Sequence, residues 1–448
     1  MSTLDENALI DYVTRQRWYG AKSRTVSRTE LIDAIDVRTT EPTLAIALVE
    51  LRYETGAHDI YQLFASGRGR GIQFDGLADD AGLAREIVSA MRTGLTLQGS
   101  QGVVEFSAAE DFAALSRELG TARLIGSEQS NTSVVFEDSL ILKLFRRLEP
   151  GINPELELLC FLGDHGFRNI PALGGWYSYS GGPLTATLGL LQEYVAGGVD
   201  GWVLTLAEIA DAPERSLDRL GRLGEVTGQM HTVLGSDTAN PAFAPEDPSV
   251  ESLGLLTATV DEAIARVFLS LPEEDERIGP ILGRGEEVRE QLRLLTHAGS
   301  GGRVIRTHGD YHLGQTLYSG TDWVVLDFEG EPARTLVERR RKRSPLRDVA
   351  GMLRSFAYAA TAAELERDAE GVEDWEHRAR ERFLEGYLDT VDPTLLPSGE
   401  AGIERMLTVF ELEKAVYELR YELDNRPDWV RIPVAGIERL MRQAAEAT

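Results

Sequence analysis

Residue types that support phosphoryl transfer occur in two short segments of the chain. His308, Asp310 and Gln315 form a His-x-Asp-x-x-x-x-Gln pattern, and Asp327 and Glu329 follow in an Asp-Phe-Glu segment. A group that attacks the terminal phosphate of ATP needs a carboxylate to accept its proton, and Mg²⁺ on the phosphates needs oxygen ligands. The first segment has the spacing of a kinase catalytic loop, with Gln where kinases usually have Asn. Together the two segments predict a phosphoryl-transfer centre.

Short apolar runs must position these segments. Val304 and Ile305 precede the first one, and the run 323–326, Trp-Val-Val-Leu, ends directly at Asp327. Because β-branched and aromatic residues favour strands, we expect Asp310 on a loop after a strand and Asp327 at the end of the next strand.

A lysine interrupts the otherwise apolar strand predicted at 140–145. Lys143 is one of four lysines in the chain, and such a residue is costly to bury unless an anion meets it. It could be an edge-strand lysine that discourages aggregation. Alternatively, it is the kinase strand lysine that contacts the α- and β-phosphates and is held by a helix glutamate. The helix predicted to start at Pro154 offers Glu155 and Glu157, of which Glu157 is the preferred partner.

Two further segments are candidates for nucleotide contact. A small polar turn could present N–H groups and hydroxyls to phosphate oxygens, although its low glycine content also fits an ordinary hairpin; its candidate residues are Ser130, Asn131, Thr132 and Ser133. A predicted strand over 185–195 then runs into a pair of glycines. A hinge between two lobes is expected there, with the backbone of Glu193 and Val195 facing an adenine edge.

The predicted helix over 411–423 offers candidates for acceptor binding. One face is apolar, and the other presents Lys414, Tyr417, Glu418 and Tyr421 about one turn apart. Aromatic rings beside charged groups suit a sugar, whose C–H faces pack on rings while its hydroxyls need polar partners. The same face also fits an exposed pair between Lys414 and Glu418 at i, i+4 spacing.

Three other features are interpreted as supporting structure. The Arg/Trp/Tyr cluster at 15–19 is expected to anchor the first helix to a small sheet, and His231 is expected to be a packing or surface histidine. The basic run 339–343 precedes a helix start and is expected to counter the acidic site. Asp348, in the first turn of that helix, is in a position to brace the catalytic loop.

Composition limits the classes of function. The 448 residues carry a net charge of −27, which argues against nucleic-acid or anionic-membrane surfaces because both need basic patches. One cysteine excludes a disulfide within the chain and any cysteine-rich zinc site. No apolar run reaches membrane-spanning length, and residues 1–20 contain acidic residues where a signal peptide would be basic. A cytoplasmic protein is therefore expected.

These motifs resemble those of actinobacterial maltokinases, in the aminoglycoside-phosphotransferase-like branch of the eukaryotic-protein-kinase-like fold. The similar segments run in order along nearly the whole chain: 15–19, 128–134, 142–147, 151–154, 308–315, 327–332, 344–351 and 414–418. The interval 234–296 contains no segment typical of the family. The resemblance implies an α+β, bilobal kinase-like fold with a cap subdomain at 1–88, the rest of the N-lobe at 89–195, and a mostly helical C-lobe at 196–448.

The resemblance also implies a reaction and roles for individual residues. The reaction would be ATP-dependent phosphorylation of the anomeric hydroxyl of maltose, giving maltose 1-phosphate for α-glucan synthesis. Asp310 would be the base, with His308 beside it in the catalytic loop. Mg²⁺ would be held by Gln315 and Asp327, with Glu329 as a further ligand. The sugar-binding candidates are His312, Tyr417, Glu418 and Tyr421.

Three alternatives remain open. A kinase of another sugar, especially glucosamine with glucosamine 6-phosphate as product, would want a carboxylate-rich pocket, for which Glu418, Glu422, Asp424 and Asp428 are available. A catalytically inactive kinase-like module could instead bind a partner, such as an enzyme that interconverts trehalose and maltose. A metal-dependent hydrolase would use His308, Asp310 and Asp327, but it would leave the lysine strand and the hinge unexplained.

Overall fold

The computed structural model describes residues 6–68, 71–110, 119–125, 130–182, 184–272, 274–296, 302–332 and 334–446. The chain divides into two compact units, one formed by residues 1–163 and 170–197 and the other by 164–169 and 198–448. The main division therefore falls at the glycine pair 197–198. Most of the strands belong to the first unit and most of the helices to the second.

The first unit contains two antiparallel sheets and short helices. Its strands are β1 Val26–Arg38, β2 Leu44–Tyr53, β3 His58–Arg68, β4 Gly71–Gln73, β5 Thr96–Gln98, β6 Gly102–Ala108, β7 Ala122–Ile125, β8 Asn131–Phe136, β9 Leu140–Phe145, β10 Arg147–Leu148, β11 Leu173–Gly181 and β12 Leu184–Glu193. Its helices are α1 Glu6–Thr14, α2 Gly76–Asp79, α3 Ala84–Thr93 and α4 Pro154–Asp164. One sheet has the order β1-β2-β3-β10 with β4 on β3, and the other has the order β5-β6-β11-β12-β9-β8-β7.

A buried glutamine joins the two sheets of this unit. Gln62 of β3 is fully buried, and its Nε2 donates to Phe145 O at 2.9 Å and to Leu188 O at 2.8 Å. Its Oε1 accepts from the hydroxyl of Tyr177 at 2.9 Å. Because all of these amide contacts are satisfied, burying the side chain carries no unpaired polar group, and the glutamine ties β3 of one sheet to β9, β11 and β12 of the other.

The aromatic cluster after α1 packs on the first sheet. Trp18 and Tyr19 are buried, and their rings lie 5.6 and 5.9 Å from the ring of Tyr61 on β3. Leu9 and Val13, one turn apart on α1, are buried in the same cluster. The cluster therefore anchors the first helix to the sheet, as the sequence predicted.

The second unit is mostly helical. Its helices are α5 Gly201–Asp211, α6 Pro213–Leu234, α7 Val250–Leu269, α8 Gly285–Thr296, α9 Leu336–Arg339, α10 Leu346–Arg367, α11 Val372–Thr390, α12 Glu400–Asn425 and α13 Arg431–Glu446, and a small sheet is formed by β13 Val199–Asp200, β14 Thr316–Tyr318 and β15 Trp323–Val325. One face of α10 is an apolar stripe at helical spacing, in which Val349, Met352, Leu353 and Phe356 are all fully buried.

Close packing of α6 against α11 depends on small residues. A Cβ added at Gly224 would lie 2.1 Å from Phe383 O, and one added at Gly386 would lie 2.2 Å from Gly221 O. Either would have to push the helices apart, because real Cβ contacts are essentially never below 3.0 Å. The two backbones therefore touch, which brings side chains of α6 and α11 together beneath the catalytic loop.

The surroundings of the catalytic segments differ in part from the predictions. The strand predicted before Asp310 was wrong. Among the described residues, Val304 and Ile305 form only isolated bridges, to Glu246 and Arg343. The reason is that this run meets two coil segments instead of a neighbouring strand. β15 ends at Val325, two residues before Asp327. The interval 234–296, which had no family signature, forms α7 and α8.

Candidate active site

The catalytic-loop backbone is held by a buried carboxylate. Asp348, in the first turn of α10, accepts from the backbone N–H of His308 at 2.8 Å and of Gly309 at 3.0 Å. Gly309 has φ of +85°, a conformation that other residues adopt only with strain. Burial alone would raise the pKa of Asp348, but hydrogen bonding to His231 and the loop amides lowers it. The carboxylate is therefore ionised at neutral pH and fixes the loop that presents Asp310.

His308 positions the loop and does not face a substrate. Its side chain is 1% exposed, its Nε2 donates to Leu326 O at 2.7 Å, and its Nδ1 accepts from the Asp310 N–H at 3.4 Å. Its ring lies 4.9 Å from the ring of Phe328. The prediction that His308 acts in catalysis is therefore corrected to a positioning role, because both ring nitrogens are occupied by backbone groups.

The predicted magnesium ligands lie together. Gln315 Nε2 donates to Asp327 Oδ2 at 3.1 Å, which leaves the amide oxygen of Gln315 directed away from that bond. One carboxylate oxygen of Asp327 and one of Glu329 lie within 4.8 Å of each other. Asp327 has φ of +60°, an uncommon conformation that tends to mark functional positions. Carboxylate and amide oxygens are the donors that Mg²⁺ prefers, so these residues fit the ion.

Lys143 is buried and paired in the first unit. Its Nζ donates to both carboxylate oxygens of Glu155, at 2.9 and 2.8 Å, and the two side chains are 8% and 1% exposed. The predicted partner, Glu157, was therefore wrong. Each residue turns an α-helix by about 100°, so on α4 two successive glutamates at i and i+2 point to nearly opposite sides, and only Glu155 faces the sheet.

The polar turn contributes differently from the prediction. Ser133 lies directly opposite Lys143 in the β8–β9 register, so their side chains share a face of the sheet. Thr132 is on the other face, where its hydroxyl accepts from Arg146 Nε at 2.8 Å, and we remove it from the predicted phosphate ligands. Asn131 starts β8 and Ser130 is exposed just before it. Residues 126–129 of the turn lie outside the described residues.

The predicted hinge segment follows β12. Glu193 is the last residue of the strand and is exposed, and Val195 is half-buried in the coil that follows. Gly197 has φ of +71°. The backbone of both predicted adenine contacts thus lies where the first unit ends, and their role stays a prediction.

Asp310 opens onto a cavity of about 360 Å³ in the second unit. One wall is formed by α12, through Lys414 and Tyr417. The opposite wall is formed by α7, through Val260 and Val267. Sequence reasoning missed α7 entirely because most of its lining residues are apolar and no motif marks them, although its length and apolar content do predict a helix.

Basic residues line much of this cavity, and most of them were missed as site residues. The lining contains seven basic side chains, Arg266, Arg334, Arg339, Arg343, Arg347, Lys414 and Arg420, against five acidic ones, Asp310, Glu331, Glu338, Asp348 and Glu413. The run 339–343 was predicted to counter the acidic site, and two of its arginines lie here. For Arg334 and Arg347 the signal was the high density of arginine between residues 334 and 347, whereas Arg266 and Arg420 stand outside any basic run.

Two of the carboxylates in the cavity are already neutralised by arginine. Arg334 donates to Glu331, and Arg347 donates to Glu413. Burial alone would raise the pKa of Glu331, but the Arg334 hydrogen bond and the charge of Lys414 lower it. Burial, with repulsion from neighbouring arginines, lowers the pKa of Arg343 to about 10.

Lys414 is the basic residue next to the predicted base. Its Nζ lies 3.8 Å from Asp310 Oδ1 and 3.9 Å from Glu331 Oε1. Both separations are too long for good hydrogen bonds, so the ammonium is held loosely between two carboxylates. It is thus available to a polar ligand that enters the cavity.

The predicted sugar-binding residues divide into one that lines the cavity and three that do not. Tyr417 lines it and is 53% exposed. The prediction that Glu418 binds the sugar was wrong, because its side chain is buried and accepts from Arg354 Nη2 at 2.7 Å. Tyr421 directly follows Arg420, the last α12 residue of the lining, but is not part of the lining itself, and the guanidinium of Arg426 lies over its ring at 5.5 Å. His312 is outside the described lining, and its Nδ1 accepts from the Gly314 N–H at 3.1 Å.

His231 is confirmed as a buried packing histidine, with an added structural role. Its Nε2 lies 3.2 Å from Asp348 Oδ2 and its Nδ1 lies 3.1 Å from the hydroxyl of Tyr387. An ionised carboxylate can only accept, so Nε2 carries the proton and Nδ1 accepts from Tyr387. The network connects α6 and α11 to the carboxylate that holds the catalytic loop.

Comparison with known proteins places this geometry in a family. The phosphotransferase enzyme family matches residues 121–384, more than half of the 448 residues, and the maltokinase N-terminal cap domain matches residues 12–80. The chain therefore belongs to the phosphotransferase enzyme family. It is a kinase-type phosphotransferase with an N-terminal cap domain related to that of maltokinases.

Individual relatives and a solved structure agree with this assignment. The chain is 29% identical to the glucosamine kinase of Mycolicibacterium smegmatis, over 74% of this chain and 83% of the relative, and 28% identical to the glucosamine kinase of Streptacidiphilus jiangxiensis, over 80% and 81%. A solved glucosamine kinase in complex with glucosamine, ADP and inorganic phosphate matches 98% of this chain and 100% of its own, with a TM-score of 0.74 at 20% identity. The predicted α+β, kinase-like fold with a cap and a helical C-terminal part is confirmed. Within the described residues, no helix is both long and apolar enough to cross a membrane.

Proposed function

We propose that the protein is an ATP-dependent sugar kinase that phosphorylates the anomeric hydroxyl of maltose to give maltose 1-phosphate. The observation that carries the proposal is Asp310, held on a braced loop at the edge of a cavity of about 360 Å³. This volume is in the range of small-molecule sites, about 300–1,000 Å³. The maltokinase-type cap at residues 12–80 supports the acceptor.

In the proposed reaction, Asp310 accepts the proton of the sugar hydroxyl as that oxygen attacks the γ-phosphate. Lys143, kept in place by Glu155, contacts the α- and β-phosphates of ATP. Gln315, Asp327 and Glu329 would hold Mg²⁺, which neutralises charge on the phosphates when bound. Tyr417 offers its ring to a C–H face of the sugar, and Lys414 donates to a hydroxyl.

The charge of the cavity favours a neutral acceptor. Its basic side chains outnumber its acidic ones, and Glu331 and Glu413 are paired with arginines. The acidic residues that made an amino sugar a possible acceptor do not line this cavity. Glu418 and Glu422 are paired with Arg354 and Arg426, and Asp428 is almost fully exposed. An ammonium group would therefore enter a region with few free carboxylates, whereas sugar hydroxyls can accept from arginine and lysine.

A glucosamine kinase is the second candidate. It is supported by the two relatives with that activity in their names and by the pair of carboxylates, Asp310 and Glu331, on either side of Lys414. If Lys414 swings away, an amine could take its place between them. The product would then be glucosamine 6-phosphate.

A substrate panel separates these proposals. ADP release would be measured with ATP and magnesium against maltose, glucosamine, glucose and an aminoglycoside, and ³¹P NMR would identify the phosphorylated position. We expect turnover with maltose and an anomeric phosphate, and no turnover for Asp310→Asn, which still binds ATP. Turnover with glucosamine but not maltose would overturn the acceptor and keep the kinase. No ADP release with any sugar would overturn the kinase and favour a binding module.

A further inference from the structure

A second basic groove lies in the C-terminal unit, outside the acceptor cavity. Its volume is about 530 Å³, it is bounded by α10, α11 and α13, and none of its described lining residues lines the cavity at Asp310. Five arginines face it, against three glutamates: Arg354, Arg380, Arg431, Arg439 and Arg442. Each of these arginines pairs with a glutamate: Glu418, Glu411, Glu364, Glu376 and Glu438. The feature that needs a specific explanation is the set of guanidinium N–H groups that these pairs leave without an acceptor among the described residues.

The floor of the groove is a buried guanidinium. Arg354 of α10 is 1% exposed, and its Nε and Nη2 donate to Glu418 at 3.0 and 2.7 Å. Its Nη1 is buried and has no hydrogen-bond partner among the described residues. A Cβ added at Gly436 would lie 2.1 Å from this nitrogen, so glycine on α13 is what lets the guanidinium reach the groove.

The side wall repeats this pattern. Arg380 and Arg439 share the buried carboxylate of Glu411, with Arg380 Nη2 at 2.6 Å and Arg439 Nη2 at 3.3 Å. Arg439 also donates to Glu376 at 2.5 Å, but its Nε is buried without a partner in the described chain. Two arginines that line one groove therefore each carry a buried N–H group without a partner among the described residues, and such a group destabilises the fold unless an acceptor meets it.

We propose that this groove binds a small molecule that carries a phosphate group. A phosphate offers several acceptor oxygens with the spacing that arginine forks match, and it would satisfy the free N–H groups of Arg354 and Arg439. Arg431 and Arg442, at 41% and 65% exposure, stand at the rim. Each contacts a glutamate through one nitrogen, Glu364 at 3.2 Å and Glu438 at 3.4 Å, and can turn its other N–H groups to the same anion. The site does not depend on the proposed kinase reaction.

The position of the groove connects it to the acceptor cavity. Glu418, the partner of Arg354, follows Lys414 and Tyr417 of the cavity on α12 by one turn or less. A phosphate that draws the Arg354 guanidinium toward the groove weakens its hold on Glu418. Binding there should therefore change the KM for the acceptor more than kcat.

The test is direct binding of inorganic phosphate and glucose 6-phosphate to the full chain by titration calorimetry. Sodium chloride at equal ionic strength and glucose are the ligand controls. We expect Kd for both phosphates to rise at least about tenfold in Arg439→Gln and in Arg442→Gln, because each removes a charge-assisted hydrogen bond. Arg382→Gln, an exposed α11 arginine outside the lining, should bind as the wild type does. A tighter complex with glucose 6-phosphate would identify a phosphate ester as the natural class.

Two outcomes would overturn the site. The first is the absence of saturable phosphate binding to the wild-type chain. The second is binding that is unchanged in both Arg439→Gln and Arg442→Gln, which would place the phosphate in the nucleotide site. Arg442 is 65% exposed, so its variant should fold even if Arg439→Gln does not. ATP affinity should be unchanged in all of these variants.

Discussion

Two buried aspartates, one in each unit, hold a loop by its backbone, but only one of the loops carries a proposed catalytic residue. Asp33 on β1 is 1% exposed and accepts from the backbone N–H groups of Ser100, Gln101 and Gly102 at 2.7, 3.0 and 3.0 Å. Asp348 is 2% exposed and accepts from two amides of the catalytic loop. A buried carboxylate that accepts from loop amides thus occurs both beside the proposed catalytic residue and away from it.

The difference lies in what surrounds each carboxylate. Asp33 also accepts from the hydroxyls of Ser100 and Tyr179, at 2.9 and 3.0 Å, so neutral donors of the same unit complete its environment. Asp348 is completed by the ring of His231, whose other nitrogen contacts Tyr387 of α11. We infer that Asp33 secures β1 of the cap to the turn before β6, whereas Asp348 sets the position of Asp310.

The largest effect is expected for Asp348→Asn. The new amide N–H would face the two loop N–H donors or His231, so the loop must shift, and a shift of about 1 Å at a reacting group can cost about a hundredfold in rate. We expect kcat for ADP release to fall by about this factor, with ATP still bound. Glu366→Gln, on the exposed face of the same helix, is the control. A folded variant with wild-type kcat would show that the loop keeps its position without this carboxylate.

Asp33→Asn should affect stability and leave kcat within about twofold. Replacing the carboxylate leaves backbone donors facing an amide donor in a buried site, which we expect to cost about 2–4 kcal/mol of unfolding free energy. Urea midpoints measure this cost, and Asp36→Asn, an exposed position on the same strand, is the control. A large loss of kcat at wild-type stability would contradict the inference that Asp33 serves stability and only Asp348 serves catalysis.

The sequence predicted the role of Asp348 but not that of Asp33. Asp348 lies in the helix start at 344–351, a segment that resembles the family, so its bracing role was predictable even though its partners are 39 and 40 residues away. Asp33 lies in β1, which was not predicted, and its partners are 67 to 69 residues away. Contacts at that separation have no local signal.

Helix faces were the other point at which sequence reasoning failed. On α12 both faces are buried in places, since Glu411, Glu418 and Glu422 are buried beside the apolar stripe. A polar residue therefore did not mark the solvent or ligand side, and Glu418 was placed in the wrong environment. The prediction that Lys143 meets an anion is confirmed by its pairing with Glu155. It could be made because a strand has only two faces, and an ammonium group on an apolar face requires an anion.

A smaller effect is expected at His231, where the contact with Asp348 can be removed without touching the carboxylate. His231→Leu deletes the Nε2–H donor, and loss of one charge-assisted hydrogen bond of about 1.5 kcal/mol corresponds to about tenfold in kcat. His231→Gln can place an amide N–H near the same point and should recover most of that loss. Equal kcat in the two variants would show that the histidine only fills space.

The smallest effect is expected in the pH dependence of the stabilisation by Asp33, which tests whether its carboxylate is the group that holds the turn. Burial would raise its pKa, but hydrogen bonds from the turn amides and Ser100 lower it below the usual 3.8. Its stabilisation is therefore fully present above pH 3.8 and is lost as the pH falls through the lowered folded-state pKa. The difference in urea midpoint between the wild type and Asp33→Asn should stay constant from pH 7 to 5 and narrow only below pH 3.8. Narrowing between pH 7 and 5 would mean that the turn is held through a group other than this carboxylate, because a carboxylate with a lowered pKa stays ionised throughout that range.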